Sequence, residues 1–239
     1  MSFTARAARQ VGVRLVLVGF LAFLGSYGAA RLGAFDWPRR YDPLALPDLV
    51  DKPFWFTDWQ MKLMDADADG CVNRLRQAGL GTALKVTRGA GTSCELHGTV
   101  DLARLSKATL RPEETRCAVA ARLYMWERHL LQPTARRILG EEIAEVLHYG
   151  SSACRTIRGR SGMSEHATAN AFDISGFRTA SGREILLKRD WRKLTREGKF
   201  LHAARDGLCD WFNVTLSPDY NAAHADHFHV DMGWYRTCR

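Results

Sequence analysis

Two stretches decide the fold: Ser164-Glu165-His166-Ala167-Thr168-Ala169-Asn170-Ala171-Phe172-Asp173-Ile174-Ser175-Gly176 and, further on, His224-Ala225-Asp226-His227-Phe228-His229-Val230-Asp231. Successive side chains of a strand point to opposite faces. In the second stretch His227, His229 and Asp231 therefore share one face, while Phe228 and Val230 point to a core. In the first, Phe172 and Ile174 share the buried face and leave Asp173 on the other. Two such strands side by side bring Asp173 to the histidine face, and His166 can reach the same point from the loop before its strand. Four of the eight histidines in the chain fall in these two segments. Neutral imidazoles with one carboxylate form the ligand set of a catalytic zinc ion, which keeps its fourth position open for water. An H-x-H pair alone is a weak motif, whereas the upstream H-x(6)-D and the alternating apolar partners make metal binding the expected role.

These residues also resemble a known group. S-x-H-x(6)-D followed by H-x-H is similar to the zinc peptidases that include lysostaphin, the D-alanyl-D-alanine peptidases and the hedgehog signalling domain. The longer pattern H-x-x-H-x-H resembles in particular the penicillin-insensitive murein endopeptidase. Across residues 59–239 the chain resembles the bacterial family named for an extensin-like C-terminal domain. The segments that carry this are Cys71-Val72-Asn73-Arg74-Leu75, Y-G-S-S-A-C-R from Tyr149 to Arg155, the two stretches above and the terminal Cys238-Arg239. The resemblance implies His166, Asp173 and His229 as zinc ligands, with His227 beside the metal. No glutamate precedes Phe228, unlike in the dipeptidase-like members, so general-base work falls to His227 or His224. Imidazole suits that role because its unperturbed pKa lies near operating pH. Arg155 matches in placement an arginine that steadies substrate or developing oxyanion.

The net charge of +8 over 239 residues invites a nucleic-acid reading. Residues 1–40 contain Arg6, Arg9, Arg14, Arg31, Arg39 and Arg40 against Asp36 alone, which leaves only +3 on the remainder. No nucleic-acid partner is expected. The charge instead flanks an apolar run over residues 15–30, extending to residue 11 if Arg14 snorkels to the interface. That length lies between a secretory signal and a spanning helix. A signal anchor over residues 11–31 is preferred to a signal peptide cleaved after Ala30, and Arg6 and Arg9 place residues 1–10 as a cytoplasmic basic tail. Either reading exports the chain beyond Leu32 to the periplasm of a bacterial cell, where peptidoglycan or cell-wall peptide is the expected partner. The oligomeric state is left open.

Cys71, Cys94, Cys117, Cys154, Cys209 and Cys238 stand singly, which is poor spacing for zinc or redox chemistry, and an even number in an exported domain reads as disulfides. The expected pairs are Cys71 with Cys94, Cys117 with Cys154, and Cys209 with Cys238. Residues 32–53 read as a linker and 54–239 as one domain of α+β class. A small antiparallel sheet carries the zinc site, helices flank it, and the anchor helix precedes it. A helix or helix pair is expected over 59–78, a helix over 113–131 with Pro112 and two glutamates at its start and Pro133 closing it, and another over 191–212 with Leu194 on its apolar side. Strands are expected over 143–147 and 183–187. Asp65 to Gly70 opens like a calcium loop, but Arg76 stands where a bidentate glutamate belongs, so the segment reads as a solvated helix end or turn. The function that best fits is zinc-assisted amide hydrolysis on peptidoglycan stem peptides or crosslinks; the alternative is a zinc-containing wall-binding module without activity.

Overall fold

Phe172, Ile174, Phe228 and Val230 are all fully buried in the computed structural model of the chain, which describes residues 3–159 and 161–239. They lie on β4 (Ala171–Thr179) and β7 (Phe228–Asp231), antiparallel neighbours near the middle of one sheet. The other strands are β1 (Thr99–Arg104), β2 (Thr109–Arg116), β3 (Ile143–Gly150), β5 (Glu184–Leu186), β6 (Val214–Leu216) and β8 (Thr237–Cys238). The strand order is β1-β2-β3-β4-β7-β6-β8, with β5 paired to β4. The sheet thus has eight strands and is larger than expected. It is also mixed, because β2 pairs with β3, and β6 with β8, in parallel. A parallel neighbour requires a crossover. Between β2 and β3 that crossover is the long helical run of residues 117–139.

That run corrects the expected helix over 113–131. Residues 109–116 are strand, and α4 (Cys117–Trp126) starts at Cys117. Glu114 accepts from Thr99 Oγ1 at 2.7 Å and pairs with Lys85 and Arg88, while Glu113 accepts from the Ser151 amide at 2.9 Å. Both glutamates thus serve strand contacts, where a helix N-terminus was expected. Pro112 lies opposite the irregularity between Leu102 and Arg104 of β1, a place in a sheet where a missing N–H is tolerated. Nor does Pro133 end the helix. A single π turn, Glu127–Leu131, separates α4 from α5 (Gln132–Leu139), with the Gln132 amide bonded to the Glu127 carbonyl, and Pro133 falls in the first turn of α5. The wider turn accommodates a residue that has no N–H to give. Glu127 is fully buried there, and its carboxylate accepts from the amides of Ser106, Lys107 and Ala108, from Ser106 Oγ and from Gln132 Nε2.

Of the helix or helix pair expected over 59–78, the pair forms, α2 (Thr57–Asp65) and α3 (Ala68–Gln77). Asp67 caps α3 by accepting from the Gly70 amide at 2.8 Å, and Asp65 pairs with the buried Arg122, so two acids of the calcium-like segment have structural partners. Residues 191–212 hold α7 (Arg196–Trp211) after a short α6 (Leu187–Asp190), and Leu194, in the turn before α7, is 96% exposed. The rings of Trp126 and Phe200 pack tilted and edge-on, respectively, against Phe177 at 6.1 and 5.3 Å, which sets α4 and α7 over the apolar side of β4.

The disulfides are Cys71–Cys117, Cys94–Cys154 and Cys209–Cys238, so only the third expected pair forms. Cys71 and Cys117 are buried where α3 meets the start of α4. Cys94, in the loop closed by the Arg88–Leu96 bridge, meets Cys154.

Two compact units divide the chain, Met1–Pro43 and Leu44–Arg239. The first is built on α1 (Phe3–Arg31), so the expected basic tail is helical from Phe3 onward. Its stretch Arg9–Arg31 is long and apolar enough to cross a membrane, as an anchor or a signal sequence. The second begins ahead of Phe54, within the stretch read as linker, and Leu49 is already part of its core.

Candidate metal centre

The register of β4 on β7 places Asp173 directly opposite His229, with Phe172 opposite Val230 and Ile174 opposite Phe228. The apolar pairs fix the register, because a slip by one residue would turn every side chain to the wrong face. His166 arrives from a 3-10 turn, Glu165–Thr168, capped by Ser164 Oγ, which accepts from the His166 amide at 3.3 Å. The turn ends at Ala169 in the left-handed region, φ 53°. Such a conformation is costly for a residue with a Cβ. Its carbonyl holds it there by accepting from the Arg116 amide at 3.0 Å, with Thr115 Oγ1 and Ser151 Oγ close by.

Three donor atoms converge. His166 Nε2 and His229 Nδ1 are 3.1 Å apart, and they lie 3.2 and 2.9 Å from Asp173 Oδ1. Among the described residues this is the one group of three or more metal-ligating side chains with such convergence. The outward nitrogens decide what the inward ones offer. His166 Nδ1 donates to the Ser151 carbonyl at 2.9 Å, and His229 Nε2 to Asp231 Oδ2 at 2.9 Å. A ring that donates through one nitrogen presents a lone pair at the other when neutral. With both rings neutral, two lone pairs and a carboxylate oxygen would face one another across about 3 Å. Only a cation, a proton or a metal ion, relieves that repulsion. Donors about 2.0–2.1 Å from a tetrahedral zinc ion stand about 3.3 Å apart, close to the spacing found. The outer partners also match a metal site, where a ligating histidine usually gives its other N–H to a carbonyl or carboxylate.

The electrostatics carry the same demand. Burial opposes ionisation of Asp173, but hydrogen bonds from His166 and His229 outweigh it and hold the carboxyl well below the usual range. Burial likewise disfavours a charged His229, yet its bonds to Asp173 and Asp231 push its pKa up to about 9.

The other expected site residues surround this triangle. His227 immediately precedes β7, with Nε2 3.7 Å from Asp173 Oδ1 and Nδ1 2.9 Å from Asp226 Oδ1. His224 ends the 3-10 turn Ala222–His224, gives Nδ1–H to Asn221 Oδ1 at 2.8 Å, and has its ring 5.2 Å from that of His227. Burial first, then the charges of His229 and His227, lower its pKa to about 4, so it is neutral at physiological pH. Arg155 is exposed on the segment that holds Cys154, and its charge is among the influences on His224. Asp226, Tyr149, Ser151 and Asp231 complete the surroundings without having been expected there as site residues. Asp231 was legible as sharing the histidine face; the others become visible only through partners distant in sequence.

The model of the family described as extensin-like protein C-terminus matches residues 69–239. The chain belongs to that family, and the match spans the whole site. No curated protein and no solved structure matches it.

Proposed function

We propose that this chain is a zinc-dependent peptidase that hydrolyses amide bonds in the stem peptides or crosslinks of peptidoglycan, held in the cell envelope by α1. The observation that carries the reading is the set of three inward donors, two of them imidazole nitrogens whose outer N–H groups are already committed. His166, Asp173 and His229 would hold the ion. When bound, zinc supplies Lewis acidity, lowering the pKa of water and polarising a carbonyl. His227 presents Nε2 toward the same centre and is positioned to take a proton there and return it to the leaving amine. His224, kept neutral, stands next in line. Arg155 supplies a positive charge on the solvent side, suited to a developing oxyanion. The peptidoglycan substrate is inferred from an apolar N-terminal helix together with bridged cysteines, which fit an exported domain.

The test uses the full-length chain in detergent. It is expected to carry about one zinc per chain and to release fragments from purified crosslinked peptidoglycan, whose masses identify the bond. Alanine at His166, Asp173 or His229 should lower bound zinc. His227→Ala should keep zinc and lose about 10²-fold or more in hydrolysis, the usual scale for a positioned acid or base. Stoichiometric zinc in all three ligand variants would sink the site. A wild-type chain that binds zinc and peptidoglycan but releases nothing would make it a binding module.

A further inference from the structure

We infer that Asp226 and Tyr149 are positioning residues that fix which nitrogen of His227 faces the metal centre. The inference rests on the proton-handling role proposed for His227 and adds the device that sets its tautomer. In β3, His148 pairs with Ile174 and Gly150 pairs with Asp173, so Tyr149 is one residue more than β4 has opposite it. That is a β-bulge, which re-aims a side chain out of the regular alternation. Gly150 permits it: its φ is 122°, and an added Cβ would lie 3.2 Å from Glu113 Oε1. Glu113 in turn accepts from the Ser151 amide, which anchors the strand end just beyond the bulge. Through the bulge the Tyr149 hydroxyl reaches Asp226 Oδ2 at 3.2 Å, and its ring packs edge-on against the His227 ring at 5.6 Å.

Asp226 is the pivot of this arrangement. Its Oδ2 accepts from Tyr149 and its Oδ1 accepts from His227 Nδ1 at 2.9 Å. A carboxylate only accepts, so the proton of a neutral His227 stays on Nδ1 and Nε2 presents its lone pair to the centre. The opposite tautomer would aim an N–H at the site and leave His227 no lone pair there with which to take a proton. Asp226 and His227 are adjacent in sequence, and a neighbouring carboxylate is free to adopt several rotamers. Tyr149 selects the one in which Oδ1 meets Nδ1.

The test reads the tautomer directly, by long-range ¹⁵N–¹H correlation on full-length chain labelled with ¹⁵N-histidine, with zinc content measured on the same samples. Wild type is expected to show His227 protonated at Nδ1. Asp226→Ala should populate the Nε2–H form at unchanged zinc content, and Tyr149→Phe, at a half-exposed position that tolerates the change, should shift the population part of the way. Hydrolysis should fall about 10-fold or more in Asp226→Ala, within the range for losing a correctly poised base. If Asp226→Ala does not fold, Tyr149→Phe decides alone. An unchanged His227 tautomer in every variant that folds overturns the inference. Because the tautomer is read without substrate, a shift seen in a chain that hydrolyses nothing would uphold the positioning role and reject only the peptidase reading.

Discussion

His229 is caught between two carboxylates, and that fixes how the metal-free site responds to pH. Its folded pKa, pushed up to about 9 from 6.5, means the charged ring stabilises the fold fully below about pH 6.5, with the contribution lost as pH rises through about 9. Asp173, whose pKa is lowered from 3.8, contributes above that value and loses its contribution as pH falls below it. The pair therefore favours the metal-free fold most between about pH 4 and 6.5. Under the proposed reading zinc would take the place of the proton, so its stabilisation should grow with pH across 6.5 to 9. Thermal unfolding at pH 6, 7.5 and 9 is expected to show a falling midpoint after chelation and no such fall with zinc. Parallel pH curves for the two forms would mean that the ion does not replace the His229 proton.

At the scale of elements, the two sides of the sheet do separate work. The π turn and Glu127 lock the β1–β2 connection to the crossover helix, away from the metal centre. Glu127→Ala would strand several buried donors at once, each costing about 1–3 kcal/mol when left unsatisfied. A loss of at least about 3 kcal/mol is expected from the urea midpoint, with zinc per folded chain unchanged. A loss of zinc from the folded fraction would mean that the crossover helix does shape the site. The same elements explain what the sequence discloses. β4 and β7 are legible because alternation is local and both faces have a clear chemical sign. β2 is not, since Pro112-Glu113-Glu114 reads as a helix start until Lys85, Arg88, Thr99 and Ser151 are known to receive the glutamates. The π turn hides behind Pro133 for a similar reason: a proline that looks like a stop is accommodated by a turn wide enough to carry it. Cysteine pairing depends on which helices and loops meet, and Cys71 finds Cys117 through the packing of α3 on α4. Tyr149 and Asp226 are 77 residues apart, so their partnership has no local signature.

For the whole molecule, the question is whether α1 stays with the domain. The stretch Arg9–Arg31 has 23 residues. At 1.5 Å per residue that is about 34 Å of helix, enough for a hydrocarbon core of about 30 Å. Secretory h-regions span about 7–15 residues, and the uncharged run within this stretch, residues 15–30, is only slightly longer. The C-terminal turns of α1 are also built into their own unit. Phe23 and Tyr27 pack edge-on against Trp37 at 5.5 and 5.6 Å, and the Tyr27 hydroxyl donates to Asp42 Oδ1 at 2.8 Å. Cleavage after Ala30 would cut between Tyr27 and both partners. A segment meant for removal gains nothing from such contacts, whereas an anchor gains a defined exit from the membrane. The chain expressed in a bacterial cell is therefore expected to remain in the membrane fraction after a high-salt wash, with an intact mass that includes residues 1–30. Its six cysteines should give no free thiol when denatured without reductant, as exported bridges require. A soluble product beginning at Arg31 would make α1 a signal sequence and leave the domain free in the periplasm. Six titratable thiols would place the domain in the cytoplasm and remove peptidoglycan as its substrate.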